Sequence, residues 1–144
     1  MFGKPKVGWV EIMIGEFQVS GSYLTDIPYD ALQACIYSIK NNAPFTLYID
    51  EEGITDFIVS YYNSTYIIRE NDEIEYYSCD KDFRELIKEI IEDIERDFSE
   101  WIIEFTYLDE EEEEYKKWVK QLERLLKNAK ELIKNKNCSD IIIH

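Results

Sequence analysis

DFRELIKEIIEDIERDFSEWIIEF, residues 82–105, decides how the rest of this chain is read. Its apolar residues are Phe83, Leu86, Ile87, Ile90, Ile91, Ile94, Phe98, Trp101, Ile102 and Phe105. They recur three and four apart, which is one stripe of an α-helix. Arg84, Glu85, Lys88, Glu89, Glu92, Asp93, Arg96, Asp97 and Glu100 fill the other side. The spacing predicts one long helix from Asp82 to Phe105, capped by Asp82 with Glu85 three residues on. Glu92 and Arg96 are placed for an i,i+4 pair. So much one-sided helix must lie on something apolar, and the rest of the chain has to supply it.

The segment after it supplies part. Tyr115, Trp118, Val119, Leu122, Leu125, Leu126, Ala129, Leu132 and Ile133 form a second helical stripe, in a helix predicted from about Asp109. Acids fill its first turns, and Lys127, Lys130 and Lys134 its last, an order that suits the helix dipole. Glu112–Lys116 and Glu113–Lys117 are further i,i+4 pairs.

The segments before it supply the remainder. Val7–Val19 reads as a strand or a bent pair of strands, with Gly15 at a bulge. Asp26 or Thr25 with Pro28 marks a helix start, and Ala31, Leu32, Cys35, Ile36 and Ile39 give that helix its stripe. It stops near Lys40, before Asn41-Asn42-Ala43-Pro44. Four alternating runs follow, from Phe45, Thr55, Thr65 and Glu73, separated by short turns. Such turns enforce antiparallel neighbours, so the four form a meander that the first strand extends to about five. Residues 1–144 are therefore expected to be a single α+β domain of order β-α-β-β-β-β-α-α. One helix follows the first strand, and two long amphipathic helices close the chain. The long helix is expected to lie centrally, between the sheet and the second helix. The tail Ile141–Ile143 is compatible with a short strand, a packed helix end or a frayed one.

Charge is the strongest global property. The chain of 144 residues carries 16 Lys and Arg against 31 Asp and Glu, a net charge of −15. Both halves are acidic, so the acidity belongs to the whole surface. A field of this sign repels nucleic acid and anionic membranes, and it steers a basic protein towards the chain. Acidity also serves solubility alone. No run approaches a membrane span and no secretory signal is recognisable, so a cytoplasmic location is expected. Cys35, Cys79 and Cys138 are odd in number and far apart, which is no disulfide framework.

Catalytic chemistry is poorly represented. The sole histidine is His144, which argues against a His-based general base, triad or zinc site. No glycine-rich phosphate loop or nucleophile elbow occurs. The expectation is no enzyme, no cofactor and no metal. A carboxylate-dependent hydrolase remains a weak third reading, since 31 acids pair by chance.

Two acidic segments are the candidate contacts for a basic partner: Asp50, Glu51 and Glu52 at a turn, and Asp109, Glu110, Glu111, Glu112, Glu113 and Glu114 in a six-residue run. A solvated hairpin tip and a dipole-matched helix start are the plainer readings. Tyr48, Tyr61, Tyr62, Tyr66, Tyr76 and Tyr77 make an exposed aromatic face possible. Only Arg69 supplies positive charge between residues 41 and 80, so the mixture favours a protein interface over stacked nucleobases.

The opening GWVEIMIGEFQVSGSYLTDIP (residues 8–28), the turn DEEG (residues 50–53) and the acidic helical end resemble small acidic bacterial proteins of the immunity or antitoxin kind, which neutralise a cognate toxin by binding it. The resemblance covers the general plan of most of the chain. It implies a non-catalytic binding protein with its acidic surface towards a basic toxin. The alternative is a structural, self-assembling protein, at its simplest a homodimer. In that case a second copy covers the sheet face opposite the helices, which accounts for strands apolar on both sides, with Ile58 and Ile67 opposite Val59 and Ile68.

Overall fold

A computed structural model of the chain describes residues 1–106 and 108–135. Cys138, the Ile141–Ile143 tail and His144 lie outside the described residues. The elements run β1 (Trp9–Ile14), β2 (Phe17–Ser22), α1 (Ile27–Asn41), β3 (Phe45–Glu51), β4 (Ile54–Ser60), β5 (Thr65–Glu70), β6 (Ile74–Cys79), α2 (Phe83–Arg96), α3 (Phe98–Glu104) and α4 (Glu113–Asn135). This is an α+β chain, with an antiparallel two-stranded sheet and an antiparallel four-stranded meander in sequence order.

Three expectations about the strands are corrected. The first stretch is a hairpin of two strands, because Gly15 at φ 59 makes the turn and not a bulge. The hairpin does not join the meander, so the described residues form no five-stranded sheet. The seam between β2 and β3 is closed by side chains where a ladder would otherwise run. The Glu51 carboxylate accepts the Ser22 N–H at 2.5 Å and its hydroxyl at 3.0 Å. Thr25 Oγ1 donates to the Asp50 carbonyl and accepts the Asp50 N–H. Gly21 lets this seam close: a Cβ there would stand 2.6 Å from Ile27 and 3.5 Å from Ile49.

The helices differ from expectation as well. The stripe over residues 82–105 is real, but Asp97 divides it into α2 and α3. Asp97 is buried, and its carboxylate takes the neighbouring Arg96 guanidinium. Arg96 pairs with Asp93 and Asp97, and Glu92 pairs with Lys88. Asp82 caps α2 as expected, accepting the Glu85 N–H at 2.9 Å. α4 begins at Glu113 and not near Asp109, and its first turn pairs Glu113 with Lys116.

The central helix is α1 rather than α2. It packs on β3, on α2 and most extensively on α4. Its small buried Ala31 and Cys35, with Ala129 of α4 also fully buried, suit close helix approach. α2 buries Leu86, Ile87, Ile90 and Ile94 into the same core. Each such side chain contributes roughly 1.5–3 kcal/mol by leaving water. Trp101 of α3 is enclosed edge-on between Phe2 and Phe105.

Candidate protein-binding surface

Two clefts share one apolar ridge: Glu51 and Glu52 line the first, and Leu108, the residue before the acidic run, lines the second. The ridge is Tyr23 and Leu24, the loop between β2 and α1, together with Trp9 at the start of β1. All three are large and exposed. The loop is built from the hairpin outward. Gly8, at φ 79, turns the chain into β1, and its missing side chain leaves room for the Tyr23 ring, which would lie 2.8 Å from a Cβ. Tyr23 N–H donates to the Gly8 carbonyl at 3.1 Å, and Leu24 N–H donates to Ser22 Oγ at 3.3 Å. Val7 N–H donates to the Glu104 carboxylate, which ties the end of α3 to the same place.

On one side of the ridge lies an open cleft of about 530 Å³, lined by Trp9, Tyr23, Leu24, Glu51, Glu52 and Ile54. On the other lies a cleft of about 300 Å³, lined by Tyr23, Leu24, Asp26, Phe105, Leu108 and Trp118 among others. The acidic run begins at Asp109, the residue after Leu108.

The acids differ in what they have left to offer. Glu51 is occupied by Ser22, and Asp50 accepts the Thr55 hydroxyl. Glu52 is exposed, with no ion pair among the described residues. Asp109 holds the Glu111 N–H, and Glu113 has Lys116. Glu110, Glu111, Glu112 and Glu114 are exposed, with no cation in ion-pair range among the described residues. Five of the nine predicted contact acids thus face solvent with no ion pair among the described residues: Glu52 at the turn and four in the run.

Asp26 is a functional candidate that sequence reasoning read only as a helix cap. Its carboxylate makes no cap bond to α1. Oδ2 accepts Trp118 Nε1–H at 2.9 Å, and Oδ1 is buried with no partner among the described residues. Burial pushes this carboxyl above its ordinary range. The Trp118 donor opposes that, and Asp30 adds to it. Tyr23, Leu24 and Trp9 were also missed as anchors. The available signal was a Tyr-Leu pair in a turn just ahead of a helix start, where small polar residues are usual.

A second surface is the outer face of the meander. Of the six tyrosines considered from sequence, Tyr48, Tyr66 and Tyr76 stand on it. Tyr77 points to the inner face against Phe17. Tyr61 and Tyr62 lie between β4 and β5, beside Tyr66 and Phe83. Arg69 is turned inward, where it grips Asp56. Ile58 and Ile67 are buried on the inner face, with Val59 and Ile68 on the outer, as the alternation predicts.

Among the described residues no group of three or more His, Cys, Asp or Glu is placed to hold a metal ion, and no helix is long and apolar enough to cross a membrane. The groove of about 550 Å³ between α2, α3 and α4 is shallow, and a Lys130–Glu95 ion pair crosses it. Comparison with known proteins finds no matching family model, no matching curated protein and no matching solved structure.

Proposed function

We propose that this chain is a non-catalytic protein-binding module of the immunity kind, which occludes a basic partner with the acid-flanked ridge of Trp9, Tyr23 and Leu24. The observation that carries the reading is the exposed ridge itself, which shares one cleft with Glu51 and Glu52 and another with Leu108, the residue before the acidic run. Interfaces of this sort place aromatic anchors at the centre and charges at the rim. The rim acids accelerate encounter with a cationic surface, and the ridge supplies desolvated contact. Nothing in the mechanism requires a covalent step. The partner is excluded from its own target by being covered.

The test is binding between the purified chain and the purified product of the adjacent gene, measured by titration calorimetry across a salt series. Leu24→Asp is expected to weaken binding at least tenfold, mainly through dissociation. Reversal of Glu110, Glu111 and Glu112 to Lys is expected to slow association and flatten the salt dependence. No affinity, or affinity indifferent both to salt and to these changes, refutes the reading.

A further inference from the structure

We infer that the outer face of the β3-β4-β5-β6 meander is a homodimer interface, on which a second copy of this chain packs face to face. This surface is separate from the acid-flanked ridge and is argued independently of it.

The strand register arranges the outer face in three rows. Thr46, Val59, Tyr66 and Ser78 form one row, and Tyr48, Phe57, Ile68 and Tyr76 the next. Asp50, Thr55, Glu70 and Ile74 form the third. The first two rows contain no charged side chain. Both charges on the face, Asp50 and Glu70, stand in the third, at one end of the strands. On a chain of net charge −15 this is an unusual surface. Soluble surfaces are normally studded with charge, and a sheet face left to water normally alternates to polar residues.

The face is open. Tyr48 is 57 % exposed, Tyr66 44 %, Tyr76 74 % and Ile74 57 %. None of the extensively packed element pairs sets a helix against β4, β5 or β6. Taking about 200 Å² for a full aromatic side chain, the three tyrosines alone present roughly 350 Å² to solvent. Phe57, Ile68 and the Thr and Ser positions add to that, towards the roughly 800 Å² per partner that a stable interface uses. Tyr48 and Phe57 are already stacked at 4.3 Å between centroids, so part of the face is ordered before contact.

Charge selects the occupant. A basic partner is drawn to the uncompensated acids elsewhere, and this face offers it nothing ionic to pair with. A second copy carries the same net charge of −15, and it can approach only where neither surface is acidic. Two neutral rows on each copy meet that condition. Charge also selects the symmetry. A two-fold axis lying in the face parallel to the strands would set the Asp50–Glu70 row on its own copy. An axis in the face perpendicular to the strands sends the two acidic rows to opposite ends. It then lays β3 over β3 and brings Tyr48 near Tyr48 of the other copy. Aligned sheet packing accommodates this within its usual crossing angle.

The experiment is sedimentation equilibrium of the full chain, from micromolar to near-millimolar concentration at physiological ionic strength. The expected result is a reversible monomer–dimer equilibrium. Tyr48→Arg and Tyr76→Arg alter side chains more than half exposed, so far-UV circular dichroism is expected to stay unchanged. Each should raise the dimer dissociation constant about tenfold or more. Reversal of Glu110, Glu111 and Glu112 to Lys should leave it unaltered. Tyr48→Cys chains should cross-link to one another with a short bis-maleimide, above the wild-type background. A chain that stays monomeric throughout overturns the proposal. So does a dimer that survives the combined Tyr48→Arg and Tyr76→Arg change. A dimer that forms without the Tyr48→Cys cross-link overturns the orientation.

Discussion

Removing the Asp56 carboxylate tests how the hairpin is held on the meander. Asp56 on β4 and Arg69 on β5 are direct cross-strand partners on the inner face. Arg69 Nε and Nη2 donate to the two carboxylate oxygens at 2.8 and 2.9 Å. The guanidinium lies 5.2 Å from the centroid of Phe17, the first residue of β2, and Phe17 in turn lies 5.0 Å from Tyr77. The ion pair therefore sits beneath the hairpin turn. Asp56 is 2 % exposed and Arg69 18 %. Asp56→Val takes away the hydrogen-bonded counter-charge of the guanidinium in a mostly dry site and leaves only the exposed Glu75 across from it, and breaking such a pair from one side costs about 3–5 kcal/mol. Residual water at Arg69 and its contact with Phe17 hold the loss to about 3 kcal/mol. A domain of this length has about 7–20 kcal/mol of total stability, so the loss is a large share. With a urea slope of about 2 kcal/mol per molar, the midpoint should fall by about 1.5 M. The second arm is Asp56→Val with Arg69→Met, which replaces both charges by apolar groups and should recover most of the loss. Urea titrations of both singles and the double, followed by tryptophan fluorescence and circular dichroism, give the coupling energy. A single-variant loss below about 1 kcal/mol, or a double equal to the sum of its singles, refutes the reasoning.

Three further outcomes are expected. Gly21→Val pushes a side chain into Ile27 and Ile12, at 2.6 and 3.2 Å from the new Cβ, and should cost about 3 kcal/mol in thermal unfolding; an unchanged midpoint would mean that the hairpin does not lie against α1. Asp26→Asn keeps an acceptor for Trp118 and removes a desolvated charge. The folded pKa of Asp26 is raised above its ordinary value of 3.8, so the stability linked to its proton is full below 3.8 and is lost as pH rises through the folded value. Wild type should therefore lose stability relative to the Asn variant on raising pH through that window, and parallel pH profiles would contradict the burial of Asp26. Burial pushes the Cys35 thiol far above its ordinary range. Peptide mapping after reaction with a disulfide reagent should show Cys79 modified and Cys35 untouched until the chain is unfolded; early modification of Cys35 would show that α1 is not central.

Local periodicity made the elements legible, and long-range closure hid their arrangement. The meander and its register follow from alternation and short turns, because neighbouring strands have little choice of partner. The Asp82 cap was readable because it lies within four residues. The β1–β2 hairpin was ambiguous because Phe17 and Val19 continue the alternation of Ile12 and Ile14. Only the backbone angle of Gly15 reverses the chain. The missing fifth strand has a similar cause, since Glu51 and Thr25 close the seam through contacts more than 20 residues apart in sequence. The break at Asp97 was invisible because the apolar stripe resumes one residue later. At the candidate surface the acids were legible as charge. The ridge beside Glu51 and Glu52 was not, since it depends on Tyr23 and Leu24 being set against a turn nearly 30 residues further along the chain.

The seam between β2 and β3 also governs how this chain can go wrong. Four strand edges are present in principle. Glu51 and Thr25 occupy the two that face each other. The outer edge of β1 is taken by the N-terminal segment, through the Phe2–Ile12 pairing and the Gly3 and Met13 amides. Among the described residues, that leaves β6, with Ile74 to Ser78 all exposed, as the open template for strand addition. Glu73 and Glu75 stand on or beside it and act as gatekeepers against runaway association. Their protection is electrostatic, and it is therefore screened by salt, so any misassembly of this chain should begin at β6.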